Sequence, residues 1–497
     1  MKRLLIFFIA ISLVITPLKV WAAPTEFCGG VNNEYEYQEI VFITGEPIKF
    51  TGTVDIKETE KADSKTVSYK FNLTSEDKTL KGKLARTMKY QVSYSKRDDK
   101  GQTIAQMEVD SRPSETITIG KDKYILKDYQ FSKSDVIDNR PASDYYNGTI
   151  TGRKYYSINN TEGTVTVDIS GGNVGYENFW GSTETQILDN VINYERETTD
   201  KDGTTETSWQ GTIRTQTADS TTKTLKYADN EATYSSFSGG NMRVTNQEMV
   251  SKYEYDLPEV TDGVPDDESR NQDTVQLTSN MLPKVERLIL PKFRDVAGHW
   301  AQQDIEKLYS LDVFQGGTQF FLPDIAMTRM DFTLAVVKAT NMRPSATTIK
   351  TTRSRSKTVE VSPFVDLPAT NPNYADVKEA LSKGIISGVS ATRFMPNQPL
   401  TRAQAVTILI RALGFENKAP TPGYATSFTD DSQIPGWARD SFYVAGEIGL
   451  IKGNNYNQAN PGQVMTRAEA SSMLVTFLSF LEVDLQKDYR ENIILFN

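Results

Sequence analysis

The residues that could do chemistry in this sequence recur three times between residues 293 and 480. Each copy opens on a Phe-x-Asp motif and later places an arginine directly after a threonine, just ahead of an apolar stretch. The copies follow one another every roughly 65 to 70 residues, which is the signature of a repeat architecture. A planar guanidinium can grip a carboxylate at two points, and a helix N-terminus adds positive potential. The repeated acids and bases are Asp295, Asp366, Asp430, Arg329, Arg402 and Arg467.

Aromatic residues and glycines complete the repeated set. Trp300 and Trp437 follow the first and third Phe-x-Asp motifs, whereas the second copy offers only Tyr374 near that place. In every copy a glycine turn precedes an aromatic residue and a proline, here called the aromatic-proline step: Phe321 and Pro323, Phe394 and Pro396, and Tyr456 and Pro461. Glycine lets another group approach the backbone closely. The turn glycines are Gly316, Gly388 and Gly453.

A pair of helices must carry each set. Apolar residues at helical spacing predict a first helix after each Phe-x-Asp motif. A threonine stands at the N-cap position of each second helix, where its hydroxyl would satisfy a free backbone N–H group. Gln404 and Glu469, three residues beyond their threonines, would complete capping boxes, and Asp331 would do so less well. These threonines are Thr328, Thr401 and Thr466.

The order of these motifs resembles the S-layer homology family, the modules that hold surface proteins on the walls of many Gram-positive and some other bacteria. The resemblance covers three repeats, at residues 291–343, 363–415 and 427–481. It implies an all-α, three-lobed assembly of helix pairs with pseudo-threefold symmetry and grooves between neighbouring lobes. It also implies a partner, a secondary cell-wall polysaccharide that is attached to peptidoglycan and commonly carries pyruvate ketals.

The resemblance gives each repeated residue type a role in glycan binding. The arginines would anchor a pyruvyl carboxylate, and the aspartates would accept hydrogen bonds from sugar hydroxyls or hold the arginines in place. The tryptophans would stack on a sugar ring, and the turn glycines would admit the polymer. The grooves that use Arg402 and Arg467 rank above the one that uses Arg329, because the first copy departs from the common pattern with Met330 and Asp331.

A purely structural reading stays open for the same residues. The aspartates could cap the first helix of each pair, the tryptophans could be core residues, and the glycines could end helices. The spacing alone does not separate these readings from ligand binding.

Strand patterns fill the preceding region and predict an all-β domain over residues 23–257. Short runs rich in Thr, Tyr, Val and Ile alternate polar with apolar residues, and turn signals such as Asn147-Gly148 separate them. This alternation favours an antiparallel sandwich or meander. The aromatic, glycine-rich stretch around Phe179 and Trp180 could be a carbohydrate-stacking surface. The favoured interpretation is a turn whose rings plug the core.

Two linkers and a tail are predicted around the repeats. Residues 258–290 read as an acidic linker and lead-in, residues 344–362 as a basic Ser/Thr-rich linker, and residues 482–497 as a C-terminal tail. The linker acids could hold Ca²⁺, but they lack the alternate spacing of a dedicated calcium loop, so no cofactor is predicted. These acids are Asp262, Asp266, Asp267 and Glu268.

The N-terminus reads as a secretory signal peptide over residues 1–22. Lys2 and Arg3 precede an apolar run, and small residues follow it, so cleavage is expected after Ala22, with no spanning segment afterwards. The single cysteine, Cys28, excludes an internal disulfide and is expected to be a free or intermolecularly paired thiol.

Charge and composition exclude several function classes. Removal of Lys2, Arg3 and Lys19 with the signal would take the formal net charge from −9 to −12, which argues against nucleic acid as a partner. The only histidine, His299, lies inside the first repeat, so histidine-based catalysis and histidine-ligated metal sites are not expected. No phosphate-binding loop or dinucleotide fingerprint occurs. A glycosidase that works through two carboxylates stays open, because Asp and Glu are abundant, but nothing in the sequence singles out a pair. The Thr/Tyr-rich strands suit a structural or binding domain better, so the chain is predicted not to be an enzyme.

Taken together, the patterns predict a secreted, non-catalytic protein of the cell wall or S-layer. The repeats would anchor it noncovalently to the wall polysaccharide, and the β domain would be displayed outward, with self-association into a lattice or fibre through open strand edges. The alternative is a wall-tethered glycan-active enzyme or carbohydrate-binding protein, carried by the β domain around Trp180. A periplasmic tether in a double-membraned bacterium stays open as a location.

Overall fold

A computed structural model describes residues 36–485 except for 62, 111, 201–202, 229–238, 262–263, 291–292, 315–318, 343–360 and 422. The predicted signal peptide, Cys28, Gly316, most of the basic linker and most of the C-terminal tail lie outside the described residues.

Fourteen strands of the described chain form one sheet, and every strand pair in it is antiparallel. Several strands are long, and the strand Gly203–Ala228 has 26 residues. The strands are β1 Glu36–Val41, β2 Ile48–Glu60, β3 Ser64–Ser75, β4 Lys83–Arg97, β5 Gln102–Val109, β6 Ser114–Ile119, β7 Asp122–Asn139, β8 Ser143–Ile158, β9 Gly163–Asn178, β10 Gly181–Asp200, β11 Gly203–Ala228, β12 Gly240–Thr261, β13 Val264–Asn280 and β14 Lys284–Arg287.

The sheet is a meander in which consecutive strands lie side by side. Its order is β1-β2-β3-β4-β5-β7-β8-β9-β10-β11-β12-β13, while β6 pairs with β4 and β7, and β14 pairs with β12. The region is therefore mostly β, as the alternation predicted, and of the two expected arrangements it adopts the meander.

The sheet curves until its first strand lies against its last strands. The Gln38 amide on β1 donates to the Thr278 carbonyl on β13 over 3.0 Å. The ring of Phe42, just after β1, lies 5.8 Å from that of Tyr253 and 5.6 Å from that of Tyr255, both on β12. The inward-facing apolar side chains of strands β1 to β13 consequently share one core.

The predicted acidic linker over 258–290 is wrong for most of its length. Strand β12 runs through Pro258 to Thr261, and β13 returns beside it up to Asn280. The register shifts between Pro258 and Glu259, and a strand tolerates proline at such an irregularity. The acidic, Pro- and Gly-bearing residues stand where β12 ends and β13 begins, and such a composition resembles a linker in sequence.

Six α-helices follow in the described chain, as three pairs, and the predicted caps begin the second helix of each pair. The hydroxyls of Thr328, Thr401 and Thr466 each accept the N–H of the residue three positions later. Capping boxes are complete with Gln404 and Glu469, as predicted. The helices are α1 Gln302–Ser310, α2 Arg329–Ala339, α3 Tyr374–Ser382, α4 Arg402–Leu413, α5 Arg439–Glu447 and α6 Arg467–Ser479.

The helices contact one another in a circular order. Helix α2 contacts α4 and α6, and each of these second helices packs against the first helix of the next copy: α2 on α3, α4 on α5, and α6 back on α1. Short backbone bridges follow the same circle, at Thr328–Pro399, Thr401–Val464 and Ala326–Thr466. Each copy is therefore completed by its neighbours.

The sheet packs directly on the helices, without an intervening linker. The Trp180 indole N–H donates to the Ala339 carbonyl at the end of α2 over 3.0 Å, and the Ala142 N–H donates to the Ala412 carbonyl in the last turn of α4 over 2.9 Å. Near the end of α1, Ser310 accepts from the Asn241 amide over 3.1 Å. The sheet thus meets the C-terminal ends of these helices, and Trp180 belongs to their core.

Candidate functional site

The three repeated arginines are the first residues of α2, α4 and α6, and each reaches into the next copy. Arg329 donates to the Ser387 carbonyl in the glycine turn of copy two. Arg402 donates over 3.3 Å to the Lys452 carbonyl of copy three. Arg467 closes the circle by donating over 2.9 Å to the Phe321 carbonyl of copy one. A cation consequently lies at each boundary between copies.

Aromatic rings support two of these guanidiniums. Arg329 lies 5.1 Å from the centre of the Phe394 ring, and Arg467 lies 4.5 Å from that of Phe321. Both rings come from the aromatic-proline step of the next copy. Stacking on an aromatic face leaves the edge of a guanidinium available for hydrogen bonding. Sequence reasoning missed these phenylalanines as partners because the contact crosses from one copy to the next.

The guanidiniums are neutralised only in part: carboxylates of Glu469 and Asp430 act on Arg402, those of Asp331 and Asp295 act on Arg467, and Arg329 has the cation Arg411 near it. Burial lowers the pKa of Arg329, Arg402 and Arg467, although arginine stays charged in proteins. Among the described residues, no carboxylate lies within 4.0 Å of the Arg329 or Arg402 guanidinium, and Arg467 has Asp331 at 3.6 Å. A partly buried cation without a carboxylate in ion-pair contact, as Arg329 and Arg402 are in the described structure, favours binding of an anion.

The repeated aspartates hold a turn within their own copy. Both carboxylate oxygens accept backbone N–H groups of the aromatic-proline step, at 2.8 and 2.7 Å for Asp295, 2.9 and 2.8 Å for Asp366, and 2.7 and 2.8 Å for Asp430. Partial burial would raise the pKa of Asp295 and of Asp366, but these N–H groups lower it overall. The alternative that they cap the first helices is wrong, because the N-cap positions of α1 and α3 are Ala301 and Asn373.

Each aspartate fixes a residue in the left-handed backbone region. Leu322, Met395 and Asn460 have φ of 57°, 57° and 50°, and each donates one of the N–H groups described above. This conformation costs a non-glycine residue roughly 1 to 2 kcal/mol. The charged acceptor offsets that cost and fixes the shape of the turn.

Both tryptophans face solvent. Trp300 is 66% exposed and Trp437 is 55% exposed. The alternative that they are core residues is therefore wrong, and their rings are free to meet a ligand. In the second copy Tyr374 is buried at the start of α3, so it offers no equivalent surface.

The turn glycines allow the chain to close on itself. A Cβ on Gly388 would lie 2.2 Å from the Ser390 carbonyl oxygen, and one on Gly453 would lie 2.6 Å from Asn457 Oδ1. They are not helix ends, because the left-handed residues that follow α3 and α5 are Gly384 and Gly449. The space beside Gly453 is filled by its own loop, and the space beside Gly388 is filled by its loop and by the Phe364 ring. A contact with the polymer there remains a prediction.

The aromatic stretch of the β domain is not a surface for sugar stacking. Trp180 is 1% exposed and lies against α2, while Phe179 lies between Lys223 and Arg243, at 4.8 and 5.5 Å from its ring centre. The favoured interpretation, rings that plug a core, is confirmed, but the core is that of the helices. Asp262 lies outside the described residues, and the part of the chain that is described contains no cluster of three or more potential metal ligands.

Comparison with known proteins agrees with this geometry. The S-layer homology domain family matches residues 292–333 and 363–406, which correspond to the first two predicted repeats. The third predicted repeat has the same helix pair, threonine cap and aspartate-held turn in the structure. No helix in the described ranges combines the length and apolar character needed to cross a membrane.

Curated relatives share the helical region. An exoglucanase XynX of Acetivibrio thermocellus is 31% identical over 37% of this chain and 16% of its own length. The surface-layer 125 kDa protein of Lysinibacillus sphaericus is 28% identical over 39% of this chain and 15% of its own. A cell surface protein of Thermoanaerobacter kivui is 28% identical over 26% and 17%. The chain thus spans less than a fifth of the length of these relatives. The family match and the surface-protein relatives show that the chain carries S-layer homology domains in its C-terminal part and indicate a location at the cell wall or cell surface.

Proposed function

We propose that this protein is anchored noncovalently through its S-layer homology repeats to a pyruvylated, peptidoglycan-linked secondary cell-wall polysaccharide. All three repeats take part, including the third at residues 427–481. They form a three-lobed unit with pseudo-threefold symmetry, an arrangement that the circular order of helix contacts supports. S-layer homology domains bind cell-wall polymers in general, and the pyruvyl group is the specific part of the proposal.

The observation that carries the proposal is the cation at each boundary between copies. The Arg329 and Arg402 guanidiniums have carbonyl partners but no carboxylate within ion-pair distance in the described structure. A ketal-linked pyruvyl group is a small fixed carboxylate, which matches a guanidinium in charge and shape. The exposed rings of Trp300 and Trp437 provide apolar faces for sugar rings. The half-buried Arg402 and Arg467 are easier to reach than the buried Arg329, which supports the predicted ranking of the grooves.

The same geometry supports outward display of the β domain. The arginines begin α2, α4 and α6, whereas the sheet contacts the C-terminal ends of α2 and α4. Helices of 11 and 12 residues separate these ends by roughly 16 to 18 Å. A wall polymer bound at the arginines would therefore lie on the opposite side from the sheet.

We assign the β domain a non-catalytic role as an S-layer or other surface-structure component. The relatives include both glucanases and surface-layer proteins, but they match only the helical region, so the activities in their names do not bear on the sheet. The enzyme or carbohydrate-binding alternative was motivated by Trp180, whose side chain is buried between sheet and helices. No other feature of the described sheet favours that alternative.

The proposal is tested by cosedimentation of the mature full chain with purified cell walls. Walls are used intact, after mild acid hydrolysis of ketals, and after chemical removal of the secondary polymer. We expect binding to intact walls, a loss of roughly tenfold or more for Arg402→Gln combined with Arg467→Gln, and loss of binding to both treated walls. The glutamines keep a hydrogen-bond donor but remove the charge.

Two further variants sharpen this experiment. Arg402→Lys with Arg467→Lys keeps the charge but not the two-point geometry, so intermediate affinity is expected. Arg153→Gln, on β8 and far from the repeats, should bind as wild type. Binding that is unaffected by the glutamine variant and by removal of the polymer would contradict the proposal.

A further inference from the structure

The β domain contains a partly open cavity of about 150 Å³, and the anchoring function does not use it. Its walls come from β1, β4, β6 and the run of strands from β8 to β12, and most of them are apolar. A cavity of this size with aliphatic walls holds a molecule the size of benzene. The apolar wall residues include Ile117, Ile169, Leu188, Ile192 and Ile213.

One wall of the cavity is charged, and its positive and negative side chains are equal in number. Arg86 donates to Glu39 over 2.8 Å and to Glu115 over 2.6 Å, and Lys154 Nζ lies 3.6 Å from Glu115 Oε2. These four side chains are buried and carry two positive and two negative charges, so the cavity has no net charge. A charged ligand would lose its hydration without gaining a counter-ion there.

The Glu115 Oε2 atom in this wall is buried and accepts no hydrogen bond in the described structure, so it can accept one from a hydroxyl group. At 3.6 Å, Lys154 Nζ and Glu115 Oε2 are too far apart for a good direct hydrogen bond. An oxygen beside both could accept a hydrogen bond from the ammonium and donate one to the carboxylate. Hydrogen bonds to charged groups are the strong ones.

We infer that this cavity is a binding site for a small neutral amphiphile, with an apolar body of about benzene size and one hydroxyl group. The body would lie among the isoleucines and Leu188, and the hydroxyl would bridge Lys154 and Glu115. The inference concerns the β domain alone and does not depend on the wall-binding role of the repeats.

The test uses phenol and toluene, which have almost the same shape but differ by a hydroxyl in place of a methyl group. Binding to the mature full chain is measured by calorimetry and by methyl NMR of isoleucine and leucine side chains. We expect phenol to bind with one-to-one stoichiometry and roughly tenfold more tightly than toluene, although toluene is the more hydrophobic of the two. Phenol-induced shifts should be confined to methyl groups that line the cavity.

Matched variants connect the binding to the cavity. Ile213→Phe fills part of the space and should abolish phenol binding, whereas Ile213→Leu keeps the volume and should retain it. If Ile213→Phe fails to fold, the methyl shifts in the wild-type chain decide the question. Absence of binding, which would mean that the cavity holds water only, would overturn the inference. So would equal affinity for both probes, or shifts at methyl groups elsewhere.

Discussion

Asp366 shows how a single side chain can shape the boundary between two copies without reaching the arginine there itself. Its two oxygens accept the N–H groups of Phe394 and Met395, and Met395 has the left-handed backbone that bulky residues avoid. The turn places the Phe394 ring under the Arg329 guanidinium. The aspartate therefore acts on the arginine through two intermediates, the turn and the ring.

Replacement of Asp366 by alanine should destabilise the helical region. Two hydrogen bonds to a charged acceptor are lost, and one of them offsets the cost of the left-handed backbone at Met395. We therefore expect a decrease of about 3 kcal/mol in the free energy of unfolding. Urea unfolding followed by circular dichroism measures this change. Asp324→Ala is the control, because that side chain is exposed and should change the stability by less than about 0.5 kcal/mol. Equal effects of the two substitutions would refute the role assigned to Asp366.

The sequence identified the repeated residues but not the residues that they contact in the neighbouring copies. Their spacing, the threonine caps and the capping boxes follow from local rules, and the structure contains them. The contacts of Arg402 with Lys452 and of Arg467 with Phe321 cross between copies. Such contacts depend on how the copies close into a circle, and no local pattern specifies that.

At the scale of elements, buried ion pairs connect strands of the sheet that are not neighbours. Arg86 on β4 reaches Glu39 on β1, and Lys154 on β8 reaches Glu115 on β6. Neither strand pair shares backbone hydrogen bonds. The ion pairs therefore hold the curvature of the sheet across its interior.

This cluster should make the sheet sensitive to acid. Burial alone would raise the pKa of Glu115, but the charges of Arg86 and Lys154 bring it down to about 2, below its ordinary value of 4.5. The carboxylate thus contributes its full stabilisation above pH 4.5 and loses it as the pH falls toward about 2. We expect the contribution of Glu115 to the free energy of unfolding to fall by up to about 1.4 kcal/mol per pH unit in that window.

Denaturant unfolding at several pH values checks this dependence. Glu115→Gln should be less stable than wild type at neutral pH and should show a shallower pH dependence in the same window. Glu108→Gln, on the adjoining strand β5, should keep the wild-type slope. Parallel pH profiles for wild type and Glu115→Gln would contradict the assignment.

The strands with regular alternation were predictable, whereas β13 was not. In β3 the buried residues Val67, Tyr69, Phe71 and Leu73 alternate with polar ones, which is the period-two signal of a half-buried strand. Strand β13 carries acidic residues and a proline and lacks such alternation, so it read as a linker. The pairing of β13 is determined by its long partner strand β12. A short window of sequence around β13 does not contain that information.

At the scale of the whole molecule, sheet and helices share a core at Trp180. The indole is buried against α2, and the Tyr145 ring lies 5.8 Å from that of Phe415, just after α4. The predicted pair of domains joined by a linker is therefore replaced by two units in direct contact. Composition could not reveal this, because a buried interface tryptophan and a surface one look alike in sequence.

Truncation of Trp180 should uncouple the two units. Loss of the indole leaves a cavity, so Trp180→Ala should cost about 3 to 5 kcal/mol. Differential scanning calorimetry should show one transition for wild type and two for the variant. Trp300→Ala is the matched control: its exposed ring should leave the stability within about 0.5 kcal/mol of wild type, while wall binding weakens. A single unshifted transition in Trp180→Ala would show that the interface contributes little.

If the boundaries between copies bind the wall polymer as proposed, the circular order of the helices also determines the valency of the anchor. Each boundary site takes its arginine from one copy and its carbonyl and turn from the next, and the last copy returns to the first. A protein that lost its third copy would keep only the boundary between Arg329 and Ser387. Loss of one copy would thus reduce the complete sites from three to one. Because multivalent attachment multiplies the contributions of its sites, such a truncated protein would detach far more readily than the loss of one copy out of three suggests.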